Sequence, residues 1–307
     1  MRLLLALVVG LLLGANAGAQ DRYFDSGGVR LRYLERGAGE AVVLVHGFTG
    51  QLERPWVDNG LLDALARDYR VVAFDLRGHG KSDTPHDAAA YAELGVDVVR
   101  LMDHLGIARA HVVGYSLGGI IAAKLLTTHG HRFSSAVIAA AAHRRSRGPD
   151  IERAAEADAV ELEKGPLPYR ALILSTAPSD EPKPEGEALA AISAAIVARA
   201  DNRRAHAAIL RARHALVVRD EDLAAVRSPV LAIVGALDPA LPRVRRMASI
   251  VPAARLVVVP GATHPVAHPR SLAQQREFAE TVRRFIAAAA SGSAAASSTP
   301  PTPSSRP

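Results

Sequence analysis

Cysteine is absent from the 307-residue chain. Folding therefore rests on no disulfide, no thiol is available as nucleophile or metal ligand, and an amino-terminal lipid anchor on cysteine is excluded. Aromatic residues are scarce, at 4%. Alanine-rich helices must then pack closely through small side chains, and the few large rings, Phe48, Trp56 and Tyr115 among them, are expected near a pocket or under loops. The apolar run Leu3 to Leu13 falls short of the roughly 20 residues a membrane-spanning helix needs, so no stable membrane anchor is expected. The histidines are scattered, and no pair has the helical spacing and neighbouring carboxylate of a zinc protease. No metal or organic cofactor is expected.

Hydrophobic residues at 49% and charged residues at 22% suit a soluble enzyme with a substantial core. The formal net charge of +6 comes mostly from arginine, clustered at Arg144-Arg145, Arg203-Arg204, Arg211-Arg213 and Arg243-Arg246. Acids and alanines interleave these clusters rather than aromatics, which reads as solvated helix faces and not as a nucleic-acid surface. Met1-Arg2, the apolar Leu3 to Leu13 and the small-residue stretch Ala15 to Ala19 form the three regions of a secretory signal peptide over 1–19. Cleavage is expected near Ala17 or Ala19, leaving a periplasmic or secreted protein. The segment 291–307, built almost wholly of Ser, Ala, Gly, Thr and Pro, is expected to be a disordered tail.

Arg22 to Phe24 and Val29 to Glu35 alternate as the strands of a hairpin turning at Ser26-Gly27-Gly28. Ala41 to Val45, Arg70 to Phe74, Ala110 to Val113 and Phe133 to Ala140 are apolar runs suited to strands covered on both faces. Trp56 to Arg67, Tyr91 to Leu105 and Gly118 to His129 are helical by periodicity and fall between them. Such alternation predicts an α/β fold with a mainly parallel sheet flanked by helices. It stops near His143, where a charged, Ala-rich stretch to Val226 is broken into helical pieces by several prolines. Strands resume at Pro229 to Val234 and Leu256 to Val259, and Arg270 to Ala290 reads as a final helix.

Directly after the Ala110–Val113 run comes Gly114-Tyr115-Ser116-Leu117-Gly118. A serine held between strand and helix must take a strained turn, which leaves room only for small residues two positions to either side. Ser116 is the candidate nucleophile. It needs a base and an acid that orients the base. Asp238 and His264 each fall just past the end of a later strand candidate, in Gly235-Ala236-Leu237-Asp238-Pro239 and Pro260-Gly261-Ala262-Thr263-His264. Open α/β sheets form their sites at such ends. His268 is a competitor for the base, but the Gly261-Ala262-Thr263-His264 context favours His264. No Asp or Glu occurs between Phe133 and Gly148, so the preceding strand offers no rival acid.

The chain order Ser, Asp, His resembles that of the α/β-hydrolases, in the branch with a helical cap. The resemblance covers roughly residues 22 to 289 and includes His46-Gly47-Phe48-Thr49-Gly50 and Asp75-Leu76-Arg77-Gly78-His79-Gly80-Lys81-Ser82-Asp83. It implies an α/β-hydrolase core over 20–142 and 227–290, a cap over 143–226, and an oxyanion hole made by the backbone N–H groups of Phe48 and Leu117. His46 is expected to support that turn, His79 to serve turn chemistry, and Asp75 and Arg77 to brace the loop as a pair. A serine nucleophile disfavours the epoxide hydrolases and haloalkane dehalogenases of the superfamily, whose covalent step resembles attack by an Asp. The expected activity is hydrolysis of small or medium carboxylic esters. Lactone opening, carbon–carbon bond hydrolysis and perhydrolysis use the same triad and stay open, as does a non-catalytic ligand-binding hydrolase fold.

Overall fold

The computed structural model describes residues 20–145, 148–199 and 202–292. The signal peptide expected over 1–19 and the tail beyond Gly292 lie outside the described residues. An eight-stranded sheet organises the molecule, in the order β1-β2-β4-β3-β5-β6-β7-β8. The strands are β1 (Arg22–Asp25), β2 (Arg30–Arg36), β3 (Ala41–Val45), β4 (Arg70–Phe74), β5 (Ala110–Tyr115), β6 (Phe133–Ala139), β7 (Val230–Gly235) and β8 (Ala254–Val259). Pairing is antiparallel from β1 to β2 and from β2 to β4, and parallel across the rest.

The reason lies in the side chains. β3, β5 and β7 are buried at every position, so both faces of the sheet must be covered, as crossover helices between parallel strands ensure. Val43 and Val45 pack on one face with helices α2 (Val96–His104), α3 (Leu117–Thr128) and α9 (Leu241–Ile250). Val42 and Leu44 pack on the other with α1 (Leu61–Leu65) and α10 (Arg276–Ala290). Between β6 and β7 the chain leaves the sheet for α4 (Pro149–Lys164), α5 (Arg170–Thr176), α6 (Gly186–Arg199), α7 (Arg203–Ala212) and α8 (Asp220–Ala224). These inserted helices have a small core of their own around Leu162, Ile173, Leu189 and Ile196. Ala208 and Ile209 of α7 join the main core. Among the described residues, no helix is long and apolar enough to cross a membrane.

Three helices begin later than periodicity predicts. The helix expected from Trp56 is split into a tight turn over Glu53–Val57 and α1, because Gly60 reverses the chain at φ 75°. Trp56 sits fully buried under that turn. In the segment from Tyr91, a 3₁₀ turn capped by the Asp87 carboxylate precedes α2. In the segment from Arg270, backbone groups are used instead to clamp the preceding loop. Thr263 N–H donates to the Arg270 carbonyl at 2.8 Å and Leu272 N–H to the Thr263 carbonyl at 2.9 Å.

Asp75 and Arg77 do not pair with each other. Asp75 faces β2, where it meets Arg32 at 3.0 Å and accepts from the N–H groups of Leu52 and Lys81. Arg77 faces α2, where its Nε donates to Asp97 at 2.7 Å. Each braces the loop after β4, but to opposite sides, because each buried charge has its own counter-ion there.

Candidate active site

β5 runs straight into α3 through Ser116, whose φ of 53° and ψ of −112° are strained for a residue with a side chain. Such a conformation costs about 1–3 kcal/mol and persists only where the surroundings enforce it. Here they do. A Cβ on Gly114 would lie 2.2 Å from the Gly118 carbonyl, and one on Gly118 would lie 2.0 Å from that of Val45. Any larger residue at either place would push strand and helix apart and flatten the turn.

The three residues singled out in sequence meet at the carboxyl edge of the sheet. Ser116 Oγ lies 2.9 Å from His264 Nε2, and His264 Nδ1 lies 2.9 Å from Asp238 Oδ2. A carboxylate only accepts, so Nδ1 carries the proton and the lone pair on Nε2 faces the hydroxyl. Asp238 is 3% exposed, and its Oδ1 accepts from Ala240 N–H at 2.7 Å, which fixes the carboxylate plane. His264 is held from behind as well, since Tyr115 OH donates to its carbonyl at 2.6 Å. That brace was missed in sequence analysis; its signal is a tyrosine next to Ser116 at the end of a buried strand. His268 points elsewhere, with Nδ1 accepting from Arg270 N–H and Nε2 3.4 Å from Glu181.

The turn after β3 lies against Ser116. A Cβ on Gly47 would stand 3.1 Å from Ser116 Cβ, so a larger residue there would press the turn a few tenths of an ångström away from Ser116. Among the described residues, neither Phe48 N–H nor Leu117 N–H donates to a protein acceptor. His46 pins the turn: Leu76 N–H donates to its Nε2 at 3.1 Å, so Nδ1 carries the proton and donates to the Gly47 carbonyl at 2.8 Å. Burial lowers its pKa against the pull of Asp75, keeping it neutral. His79 and His206 of α7 stack beside it with ring centroids 4.5 Å apart, and Phe48 covers His206 at 4.8 Å. Burial drives both well down, His206 to about 3. His79 therefore does more than turn chemistry, since it carries the contact between the loop after β4 and the inserted helices.

Two cavities flank Ser116. One, of about 440 Å³, is walled mainly by apolar side chains including Phe48, Leu172, Ile173, Ile192, Ile196 and Val266. The other, of about 450 Å³, lies toward the loop after β6 and is lined by Ala141, His143, Arg144 and Arg243 together with Ser116 and His264. Phe48 and Tyr115 line the apolar cavity, as expected of the large rings, whereas Trp56 belongs to the core beneath. Among the described residues, no cluster of three His, Asp or Glu side chains is arranged to hold a metal ion.

Comparison with known proteins places this geometry in a family. The chain is similar to the dihydrolipoyllysine-residue acetyltransferase component of an acetoin cleaving system from Cupriavidus necator, 45% identical over 111 residues, which is 36% of this chain and 29% of that protein. The matched stretch thus spans about a third of the length of such curated relatives. Among solved structures, a thermophilic esterase from Thermogutta terrifontis superposes with a TM-score of 0.69 at 23% identity, over 88% of this chain and 99% of the other. The enol-lactonase from Burkholderia xenovorans LB400 gives 0.68 at 22%, over 87% and 100%. At such identities the likeness speaks for the fold alone. The sequence pattern of the alpha/beta hydrolase fold matches residues 40–269, from the start of β3 to just beyond His264, and the chain belongs to that family.

Proposed function

We propose that this chain is a serine hydrolase of small or medium carboxylic esters, working through an acyl-Ser116 intermediate. The observation that carries this reading is the unbroken relay from Ser116 Oγ through His264 to Asp238, at 2.9 Å and 2.9 Å. His264 Nε2 takes the hydroxyl proton as Oγ attacks the carbonyl carbon. Phe48 N–H and Leu117 N–H, both without a protein acceptor, receive the oxyanion, each worth roughly 3 to 4 kcal/mol because it is aimed before charge develops. The imidazolium, steadied by Asp238, returns its proton to the departing alkoxide and the alcohol leaves. Water then repeats the attack with His264 as base, and the carboxylic acid departs from Ser116. α5 and α6 supply the apolar wall over the nucleophile and act as a cap that excludes bulk water.

The fold shared with the esterase and the enol-lactonase supports acyl transfer, and lactone opening is the same chemistry with the leaving alcohol still attached. The pattern at 1–19 supports an exported enzyme, which cell fractionation tests: the protein confined to the cytoplasm would end that part of the reading. For the chemistry, a fluorophosphonate probe is expected to label Ser116 in the purified protein. Labelling that survives Ser116→Ala would overturn the assignment. His264→Ala is expected to lower p-nitrophenyl acetate turnover by a factor on the order of 10⁴ to 10⁶, as for loss of a triad base. His268→Ala should retain most of it.

A further inference from the structure

The loop after β6 places an arginine where the fold has no use for one. The Arg144 backbone is pinned, because Val218 N–H donates to its carbonyl at 2.8 Å and Val217 bridges to it. Its side chain is half-buried, and its Nε is sealed from solvent with no partner. Among the described residues, nothing accepts a hydrogen bond from this guanidinium or pairs with it. The carboxylates nearby have other partners. Asp238 is held by His264 and Ala240 N–H, Asp220 is shared by His143, Arg145 and Arg246, and of the two glutamates that line a second cavity with Arg144, Glu156 is held by Arg211 and Glu152 is not free. Burial, together with the like charges of Arg213 and Arg243, lowers the pKa of Arg144 to about 10. It stays charged at neutral pH. Arg243, on α9, faces the same cavity and has no ion-pair partner among the described residues.

A charge partly withdrawn from water without a counter-ion costs stability. Such a cost is kept where a ligand supplies the missing partner. We propose that the 450 Å³ cavity between Ser116, Arg144 and Arg243 is a subsite for a carboxylate of the substrate, so that the preferred ester or lactone is an anion. The inference rests on the hydrolase reading and narrows it. A guanidinium offers two parallel N–H donors to a planar carboxylate, and Arg243, lining the same cavity, adds a second positive charge. The apolar cavity also carries arginines, Arg54 and Arg199, which like Arg243 are exposed, so the sealed, unpartnered Nε of Arg144 is what distinguishes this cavity.

Two matched substrate pairs test this, one for each side of the scissile bond. They are 4-acetoxybenzoate against its methyl ester, and 4-nitrophenyl hydrogen succinate against 4-nitrophenyl methyl succinate. The anion is expected to be favoured in kcat/KM by about 10-fold or more in at least one pair, the scale of a charge-assisted hydrogen bond. Arg144→Gln, and separately Arg243→Gln, should shrink that ratio, with the loss in KM for the anion. Equal efficiency within both pairs, or a ratio that both variants leave intact, overturns the subsite while the hydrolase reading stands.

If neither pair is cleaved, it is the hydrolase reading that fails, and calorimetry with benzoate against benzamide still tests the subsite. Binding of benzoate alone, lost in Arg144→Gln, supports it, and no binding of benzoate to the wild type overturns it. Without ligand, Arg144→Met should unfold at a higher temperature than the wild type. A lower one would make Arg144 a structural residue and sink the proposal.

Discussion

Arg77 and Arg144 both stand shortly beyond the end of a parallel strand, β4 for one and β6 for the other, yet their guanidinium groups are treated in opposite ways. Arg77 is buried with Asp97 and donates to the Ser26 and Ala90 carbonyls, so each of its three guanidinium nitrogens has an acceptor. Arg144 has no such partner among the described residues. The nearby Arg32 repeats the first pattern, gripped by Asp21, Glu53 and Asp75. A charge that serves the fold arrives with its counter-ion, and one that lacks it marks a place where the molecule waits for something else.

The largest effect expected from breaking this contrast is on the paired side. Asp97→Asn keeps the shape of the carboxylate but strands Arg77 in the core, and the protein should lose about 3 to 5 kcal/mol of unfolding free energy. Urea denaturation measures it. A loss under 1 kcal/mol would mean that buried pairing does not distinguish Arg77 from Arg144.

Histidine has an escape that arginine lacks, since it can shed its proton. His46, His79 and His206 are buried together where α7 meets the loops after β3 and β4, and burial lowers all three. The sign follows from linkage. Above about pH 6.5 folded and unfolded chains are both neutral at these rings, so stability is flat. Below it the unfolded chain takes up protons that the folded one refuses, and stability falls by about 1.4 kcal/mol per pH unit for each ring that stays neutral. For His206 the loss stops growing near pH 3. Unfolding free energy between pH 6 and 5 should therefore drop steeply, and His206→Gln should remove close to one proton from that slope. An unchanged slope would show that His206 titrates freely in the folded protein.

Local signals made the geometry of the candidate site legible in sequence. Glycines two places either side of Ser116 report a backbone clash, and Asp238 and His264 each end a run of apolar residues, so position along the chain maps onto position on the sheet edge. What depended on long-range partners was hidden. α10 starts at Arg276 and not at Arg270 because residues 270 to 272 hydrogen-bond to the Thr263 loop, a contact no helical period encodes. Asp75 and Arg77 read as a pair because they are close in sequence, whereas their partners lie on β2 and α2. Arg144-Arg145 looked like a solvated face for the same reason. Composition records how many charges there are, and only the folded arrangement shows which of them were left without a partner.

The smallest effect expected concerns a third kind of arginine, paired but only half-buried. Arg211 of α7 reaches both Glu156 and Glu163 of α4, at 2.9 Å each, and ties two inserted helices together. Hydrogen bonds from it hold both glutamates below the usual carboxylate range. Water competes for all three side chains, and holding them in register costs rotamer entropy, so the network is worth little despite its geometry. Arg211→Ala should cost less than about 1 kcal/mol, and the cost should shrink further at high salt. A loss comparable to that of Asp97→Asn would mean that the inserted helices rely on ion pairs where the sheet relies on buried ones. The distinction between compensated and uncompensated arginines would then have to be drawn by solvent access as well as by partner.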